Sequence, residues 1–111
     1  MAGTPSVFAA GTVTPSGGTA WVIHDSTGTA GFYQLVVDAN AIALGDDHVF
    51  EVLEAAVPGG TQRLAERVHI VHVQAWPIRR SGVIAATHGI KVQATTLTGT
   101  ARACPWEVRA L

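Results

Sequence analysis

Hydrophobic and polar residues alternate in several segments of this chain, a pattern typical of half-buried β-strands. In HGIKVQATTL (residues 88–97), Ile90, Val92 and Ala94 fall on one face, with polar side chains between them. Other segments are rich in β-branched or aromatic residues and are bounded by Gly, Pro, Asp, Ser or Thr. Together these patterns predict strands over residues 6–13, 19–25, 31–38, 47–57, 63–76, 88–97 and 105–111.

About seven strands in 111 residues predict an all-β fold, namely a single antiparallel β-sandwich, with a barrel as the alternative. Residues 1–14 are assigned to an N-terminal arm or edge strand and residues 15–111 to the sandwich. PSGG (15–18) and PGG (58–60) predict hairpin tips, because proline presets φ and glycine adopts positive φ.

The connection DANAIALGDD (38–47) differs from these tight turns. Asp38 is a candidate cap for a short helical turn, and Gly45 is a candidate left-handed residue to close it. The segment therefore predicts one short helical crossover between the two sheets.

The segment PWEVRAL (105–111) has the pattern of a core strand. Trp106 and Val108 are predicted to point inward, and Glu107 and Arg109 to point towards solvent or a partner. Truncating a buried Trp costs about 3–5 kcal/mol. We therefore expect this strand to stabilise the fold.

Composition favours a protein partner over other partners. Charged residues make up 14% of the chain and hydrophobic residues 48%, so the predicted surface carries few charges. The net charge is -1 and no basic stripe is present, which argues against nucleic acid. No apolar run is long enough to span a bilayer, and MAGTPSVFAAGTV lacks a signal-peptide pattern, so we expect neither membrane association nor secretion.

The sequence offers no convincing catalytic, cofactor or metal site. His69 and His72 are three residues apart and would lie on opposite faces of a strand, which does not suit a shared metal ion. Asp46 and Asp47 fit a turn cap better than a cation site. Cys104, the single cysteine, lies in an apolar context that favours an unreactive thiol. We therefore predict a non-enzymatic protein without a cofactor.

Two segments are candidates for protein contact. WPIRRSGVIAA (76–86) combines a strand-breaking proline, two arginines and aliphatic residues, although its aliphatic side chains could instead join the core. The N-terminal segment, low in charge, suits an arm ordered against a neighbouring subunit, or an added edge strand. The predicted contact residues are Pro5, Val7, Phe8, Trp76, Arg79, Arg80, Val83, Ile84, Glu107 and Arg109.

Two longer segments carry a resemblance to a known group of proteins. ALGDDHVFEVLEAAVPGGTQRL and HGIKVQATTLTGTARACPWEVRAL resemble small proteins from tailed-phage and prophage structural gene clusters. Those proteins pair a Leu-x-x-Gly-Asp turn with a hairpin and end in a Thr-Gly-Thr-x-Arg-x-(Phe/Cys)-Pro-Trp strand. Cys104 stands where an aromatic residue is expected. The matching positions at the ending are Gly99, Thr100, Arg102, Pro105 and Trp106.

The resemblance implies a component of the virion, assembled in the host cytoplasm. Its most concrete form is a capsid decoration or cement subunit that binds major capsid protein and associates with itself, for example as a trimer. Alternatives are a neck, tail or fibre-base component of the particle. From the residues alone, a further alternative is a carbohydrate-binding or adhesin-like sandwich that stacks sugars on Trp21, Trp76 or Tyr33.

Overall fold

The computed structural model describes residues 6–15 and 17–111, and these residues form nine β-strands without a helix. Pro5, one of the predicted contact residues, lies outside the described residues. In this part of the chain no helix is long and apolar enough to cross a lipid bilayer. The strands are β1 (Ser6–Val13), β2 (Trp21–Asp25), β3 (Gly31–Asp38), β4 (Asp47–Glu54), β5 (Arg63–Val71), β6 (Ile78–Arg80), β7 (Ile84–Ala86), β8 (Lys91–Thr98) and β9 (Cys104–Ala110).

The strands form two antiparallel sheets. The five-stranded sheet has the order β1-β9-β3-β6, with β7 also paired to β3, and the four-stranded sheet has the order β2-β8-β4-β5. Within the described residues neither sheet closes on itself, so the barrel alternative is wrong. The all-β class is confirmed, and the two-sheet arrangement is consistent with a sandwich.

The predicted alternation is confirmed where the two sheets share a core. In β3 the side chains of Tyr33, Leu35 and Val37 are buried. In β8 of the other sheet Val92 and Ala94 are fully buried, as is Ile90 just before this strand. Burying one such aliphatic side chain contributes about 1.5–3 kcal/mol. The apolar faces of both sheets therefore supply the main stabilising free energy.

β9 lies in the middle of the five-stranded sheet, between β1 and β3. Val108 is fully buried, and Trp106 packs against the core while staying partly exposed. Gly11 of β1 lies opposite Trp106, and a Cβ at this glycine would sit 3.2 Å from the indole Cζ2. The glycine makes room for the indole ring. The predicted inward direction of the Trp106 and Val108 side chains is confirmed.

The connection between β3 and β4 crosses between the sheets as predicted, but the helical turn is wrong. The Asp38 carboxylate accepts the Asn40 N–H at 3.0 Å, and the Asp46 carboxylate accepts the Ala43 N–H at 2.9 Å. Gly45 adopts a φ of 91°. Two side-chain carboxylates therefore bind backbone N–H groups in consecutive turns, and such local bonds compete with a helix.

The two predicted hairpin tips have different outcomes. PGG joins β4 and β5, which pair antiparallel; Gly59 adopts a φ of 66° and the Gly60 N–H donates to the Val57 carbonyl at 3.0 Å. PSGG joins β1 to β2, which lie in different sheets. That hairpin prediction is wrong because the same Pro-Gly composition also suits a connection between sheets.

The segment 76–86 contains two short strands that the sequence pattern did not predict. Between β6 and β7, the Ser81 hydroxyl accepts the Leu35 N–H at 3.0 Å, and the Ser81 N–H donates to the Leu35 carbonyl at 2.9 Å. Ile84 pairs opposite Tyr33 and is buried, with 8% exposure. The contact prediction for Ile84 is therefore wrong, because its side chain belongs to the core.

Candidate protein-contact surfaces

The three most exposed large apolar side chains of the described residues lie in two adjoining loops. Trp76 is 83% exposed, Leu44 81% and Val73 68%. Leu44 belongs to the β3–β4 connection, and the other two belong to the β5–β6 connection. We call these three residues the apolar loop end.

Hydrogen bonds join the two loops and brace them. The Gly45 N–H donates to His72 Nδ1 at 2.9 Å, and the His72 N–H donates to the Asp46 carbonyl at 2.9 Å. His72 has a φ of 61°, which is uncommon for a residue with a side chain. Gln74 donates to the Val71 carbonyl at 2.8 Å and accepts from Arg79 at 2.6 Å. The apolar loop end is therefore presented by loops whose backbones are fixed by these bonds.

Asp46 connects the loop of Leu44 to the segment before β9. Its carboxylate is buried and accepts the Thr100 N–H at 2.9 Å and Arg102 Nε at 2.8 Å, in addition to the Ala43 N–H. These bonds, above all that from the Ala43 N–H, lower the pKa of Asp46 from 3.8 to about 2. The Gly-Asp turn and the Thr-x-Arg ending named in the resemblance thus meet at one carboxylate, and the prediction that Asp46 caps a turn is confirmed.

His48 extends the same network into the interior. Its Nε2 accepts the Arg102 N–H at 3.2 Å and lies 3.2 Å from Thr96 Oγ1, which donates to the Pro15 carbonyl at 2.7 Å. Burial lowers the pKa of His48 from its usual value of 6.5, which favours the neutral ring. This network holds loops together, which is a structural role.

The outer face of the five-stranded sheet carries the predicted contact residues of β9. Glu107 and Arg109 form an ion pair there, and both side chains are partly exposed. Beside them a hollow of about 210 Å³ is lined by Val36, Ile78 and Pro105, among others. The face mixes apolar surface with charges that neutralise each other.

The remaining predicted contact residues do not come together at one place. Val7 in β1 is 61% exposed and Val83, between β6 and β7, is 53% exposed. Phe8 contacts the rings of His24 and Tyr33 edge-on, with centroids 5.5 and 5.4 Å away, and 42% of its surface stays exposed. Arg79 braces the loop of Trp76, whereas Arg80 is exposed on β6.

The residues considered for metal or thiol chemistry are separated or buried. His69 lies 2.5 Å from Asp47 on the four-stranded sheet, while His72 bonds to the turn of Gly45. Among residues 6–15 and 17–111, no three His, Cys, Asp or Glu side chains are grouped so that they could hold a metal ion. Cys104 is fully buried, and burial raises the pKa of its thiol to about 11.

The three aromatic residues considered for sugar stacking do not form a platform. Tyr33 is only 1% exposed, and its hydroxyl donates to the Thr29 carbonyl at 2.6 Å. Trp21 lines a hollow of about 410 Å³ together with Trp106, whereas Trp76 lies in the apolar loop end. The stacking role predicted for Tyr33 is therefore wrong.

Sequence reasoning found Trp76 but missed Leu44 and Val73. The available signal was weak: each is an aliphatic residue next to Gly45 or His72 in a turn, where polar residues are expected. No protein-family model, curated protein or solved structure matches this chain.

Proposed function

We propose that this chain is a non-enzymatic β-sandwich protein of a phage particle, a decoration subunit that binds assembled major capsid protein through the apolar loop end. The observation that carries the proposal is the exposure of Trp76, Leu44 and Val73 on two braced loops. The resemblance in the Gly-Asp turn and the Thr-x-Arg ending supports the choice of a virion protein, because those positions are the ones that build this end of the molecule.

The apolar loop end has the properties of a binding anchor. Trp is enriched among the residues that dominate interface energetics, and each large apolar side chain that becomes buried contributes about 1.5–3 kcal/mol. Binding also costs about 0.5–1.5 kcal/mol for each side chain that must be ordered. Loop ordering is a separate cost of binding, and it is small here because hydrogen bonds already fix the backbones of both loops.

A decoration subunit acts by mass action. It binds the assembled lattice and not the separated capsid subunits, so each bound copy shifts the equilibrium away from disassembly. The stabilisation of the assembled lattice grows with the number of occupied sites. No reacting group is required for this activity.

The test uses heads of the phage or prophage that encodes this chain, prepared without it. Purified protein is mixed with the heads, the heads are pelleted, and bound copies are counted by quantitative mass spectrometry. We expect hundreds of copies for the native chain and about thirtyfold weaker binding for Trp76→Ala, since losing a buried anchor costs about 2 kcal/mol or more. Val83→Ala is the matched control, because Val83 is exposed outside the apolar loop end.

Copy number separates the proposal from its alternatives. A small ring of copies in native particles would indicate a neck, tail or fibre-base component, and absence from particles would end the virion proposal. The carbohydrate-binding alternative depends on Trp21 and Trp76, since Tyr33 is buried. Tryptophan fluorescence titrated with oligosaccharides tests it, and an unchanged signal would exclude it for those sugars.

A further inference from the structure

The edges of the two sheets differ in how well they resist pairing with another strand. An exposed edge offers unpaired backbone N–H and C=O groups, and proteins protect such edges by keeping them short or by charging them. β2 has five residues, and β6 and β7 have three each. β5 has nine residues but carries Arg63, Glu66 and Arg67. These edges are therefore protected.

β1 is the exception among the described strands. It has eight residues, SVFAAGTV, with neither a charge nor a proline, and seven of the eight are at least partly exposed. It pairs with β9 along one side and forms the end of the five-stranded sheet. Its one irregularity lies between Val7 and Ala9, so the ladder from Ala9 to Val13 is regular. This stretch is long enough to pair with a further strand.

We propose that β1 pairs antiparallel with β1 of a second copy, which would join two five-stranded sheets around a two-fold axis. Two-fold dimers are the commonest assemblies of identical chains, and an antiparallel pair of identical strands satisfies that symmetry. The small residues Ala9, Ala10 and Gly11 allow the two strands to approach without crowding.

Charge is compatible with this pairing. β1 itself brings no charges to the axis, and the neighbouring strand β9 places Glu107 opposite Ala10 and Arg109 opposite Val7. Since these two side chains form an ion pair within each copy, no like-charge repulsion opposes the contact. The inference does not rest on the virion role, because β1 and the apolar loop end share no residue.

The first test is the association state of the full chain by sedimentation velocity over a range of concentrations. We expect a reversible dimer for the native chain and a dissociation constant about tenfold higher for Ala10→Lys, because two lysines would meet near the axis. Within one copy the new lysine faces Glu107, so the monomer should keep its fold. Ala65→Lys adds the same charge to the β5 edge and should leave the dimer unchanged.

The second test identifies the strand that pairs. Amide hydrogen exchange is compared at high and low protein concentration, and β1 amides should exchange more slowly when concentrated, while those of β2 and β5 should not change. A native chain that stays monomeric, a trimer, a dimer unaffected by Ala10→Lys, or association without added protection of β1 would each overturn the proposal.

Discussion

Replacing Gly89 with alanine tests a close approach between the loop that precedes β8 and the loop that follows β2. Gly89 has a φ of 78°, and a Cβ there would lie 1.9 Å from the Ser26 carbonyl oxygen. Gly28 has a φ of 93°, and a Cβ there would meet nothing within 4 Å. Both substitutions incur a left-handed backbone penalty of about 1–2 kcal/mol. Gly89→Ala must in addition displace the backbone at Ser26.

The additional cost follows from the bonds that hold the two loops. The Ser26 N–H donates to the Ile90 carbonyl at 2.8 Å, and the Gly28 N–H donates to the His88 carbonyl at 2.8 Å. Real Cβ contacts essentially never fall below 3.0 Å, so the Ser26 carbonyl would have to shift by more than an ångström from 1.9 Å. If both bonds are lost at roughly 1–3 kcal/mol each, Gly89→Ala costs about 2–6 kcal/mol more than Gly28→Ala.

Urea denaturation followed by circular dichroism measures this difference directly. A domain of this size has about 5–15 kcal/mol of stability, so Gly28→Ala should fold well while Gly89→Ala should be largely unfolded or strongly destabilised. Gly28→Ala therefore serves as the matched control for the backbone penalty. Equal midpoints for the two variants would refute the reasoning, since they would show that the close approach carries no energetic cost.

Three further predictions concern titratable groups. The pKa of Asp46 is lowered to about 2 in the folded state, so the stability that this carboxylate contributes is present above pH 3.8 and is lost as pH falls towards 2. Asp46→Asn should therefore make the free energy of unfolding depend less on pH in acid denaturation curves. Burial lowers the pKa of His48 below 6.5, so the folded state resists protonation of this ring and its stability should fall as pH drops below 6.5. His48→Gln should reduce this pH dependence in thermal melts between neutral and mildly acidic pH. Cys104 is buried with its pKa raised to about 11, so a thiol reagent should modify it only after denaturant is added, and fast labelling of the native protein would contradict its placement.

Strands with clear alternation could be predicted from the sequence. The bounds of β1 and β3 coincide with the predicted segments, and the inward face of Ile90, Val92 and Ala94 is confirmed. These strands each have one face on the core, so a period of two is imposed by burial itself. The alternation is therefore enough to locate these strands and their inward faces.

The wrong predictions concern segments in which side chains bond to backbone N–H or C=O groups that another strand could otherwise pair with. Ser81 bonds to both backbone groups of Leu35 and so allows β6 and β7 to pair with one strand, which residue periodicity does not encode. Asp46, within the β3–β4 connection, binds Thr100 and Arg102, which are more than fifty residues away in the sequence. Such contacts depend on tertiary structure, and the predicted strand count was wrong for that reason. The helical crossover was wrong because Asp38 and Asp46 also bind nearby backbone N–H groups.

The contact surfaces could be predicted only in part. Trp76 stood out as a large apolar residue beside a proline, and the structure leaves it exposed. Ile84 had the same apolar character but is buried opposite Tyr33, whereas Leu44 is exposed. Which aliphatic side chain in a connection is covered depends on the strands that pass over it, and a single sequence does not specify them.

The pairing of β1 with β9 has a consequence for how the protein folds. The ladder joins Ser6 to Ala110 and Val13 to Cys104, so its partners are separated by most of the described chain. Closing so long a loop costs entropy before the ladder contributes any free energy, which places folding in the millisecond-to-second range typical of such topologies. Until β9 arrives, β1 is an uncharged segment without a partner on either side. Refolding yield should therefore fall as protein concentration rises, because intermediates with unpaired strands aggregate.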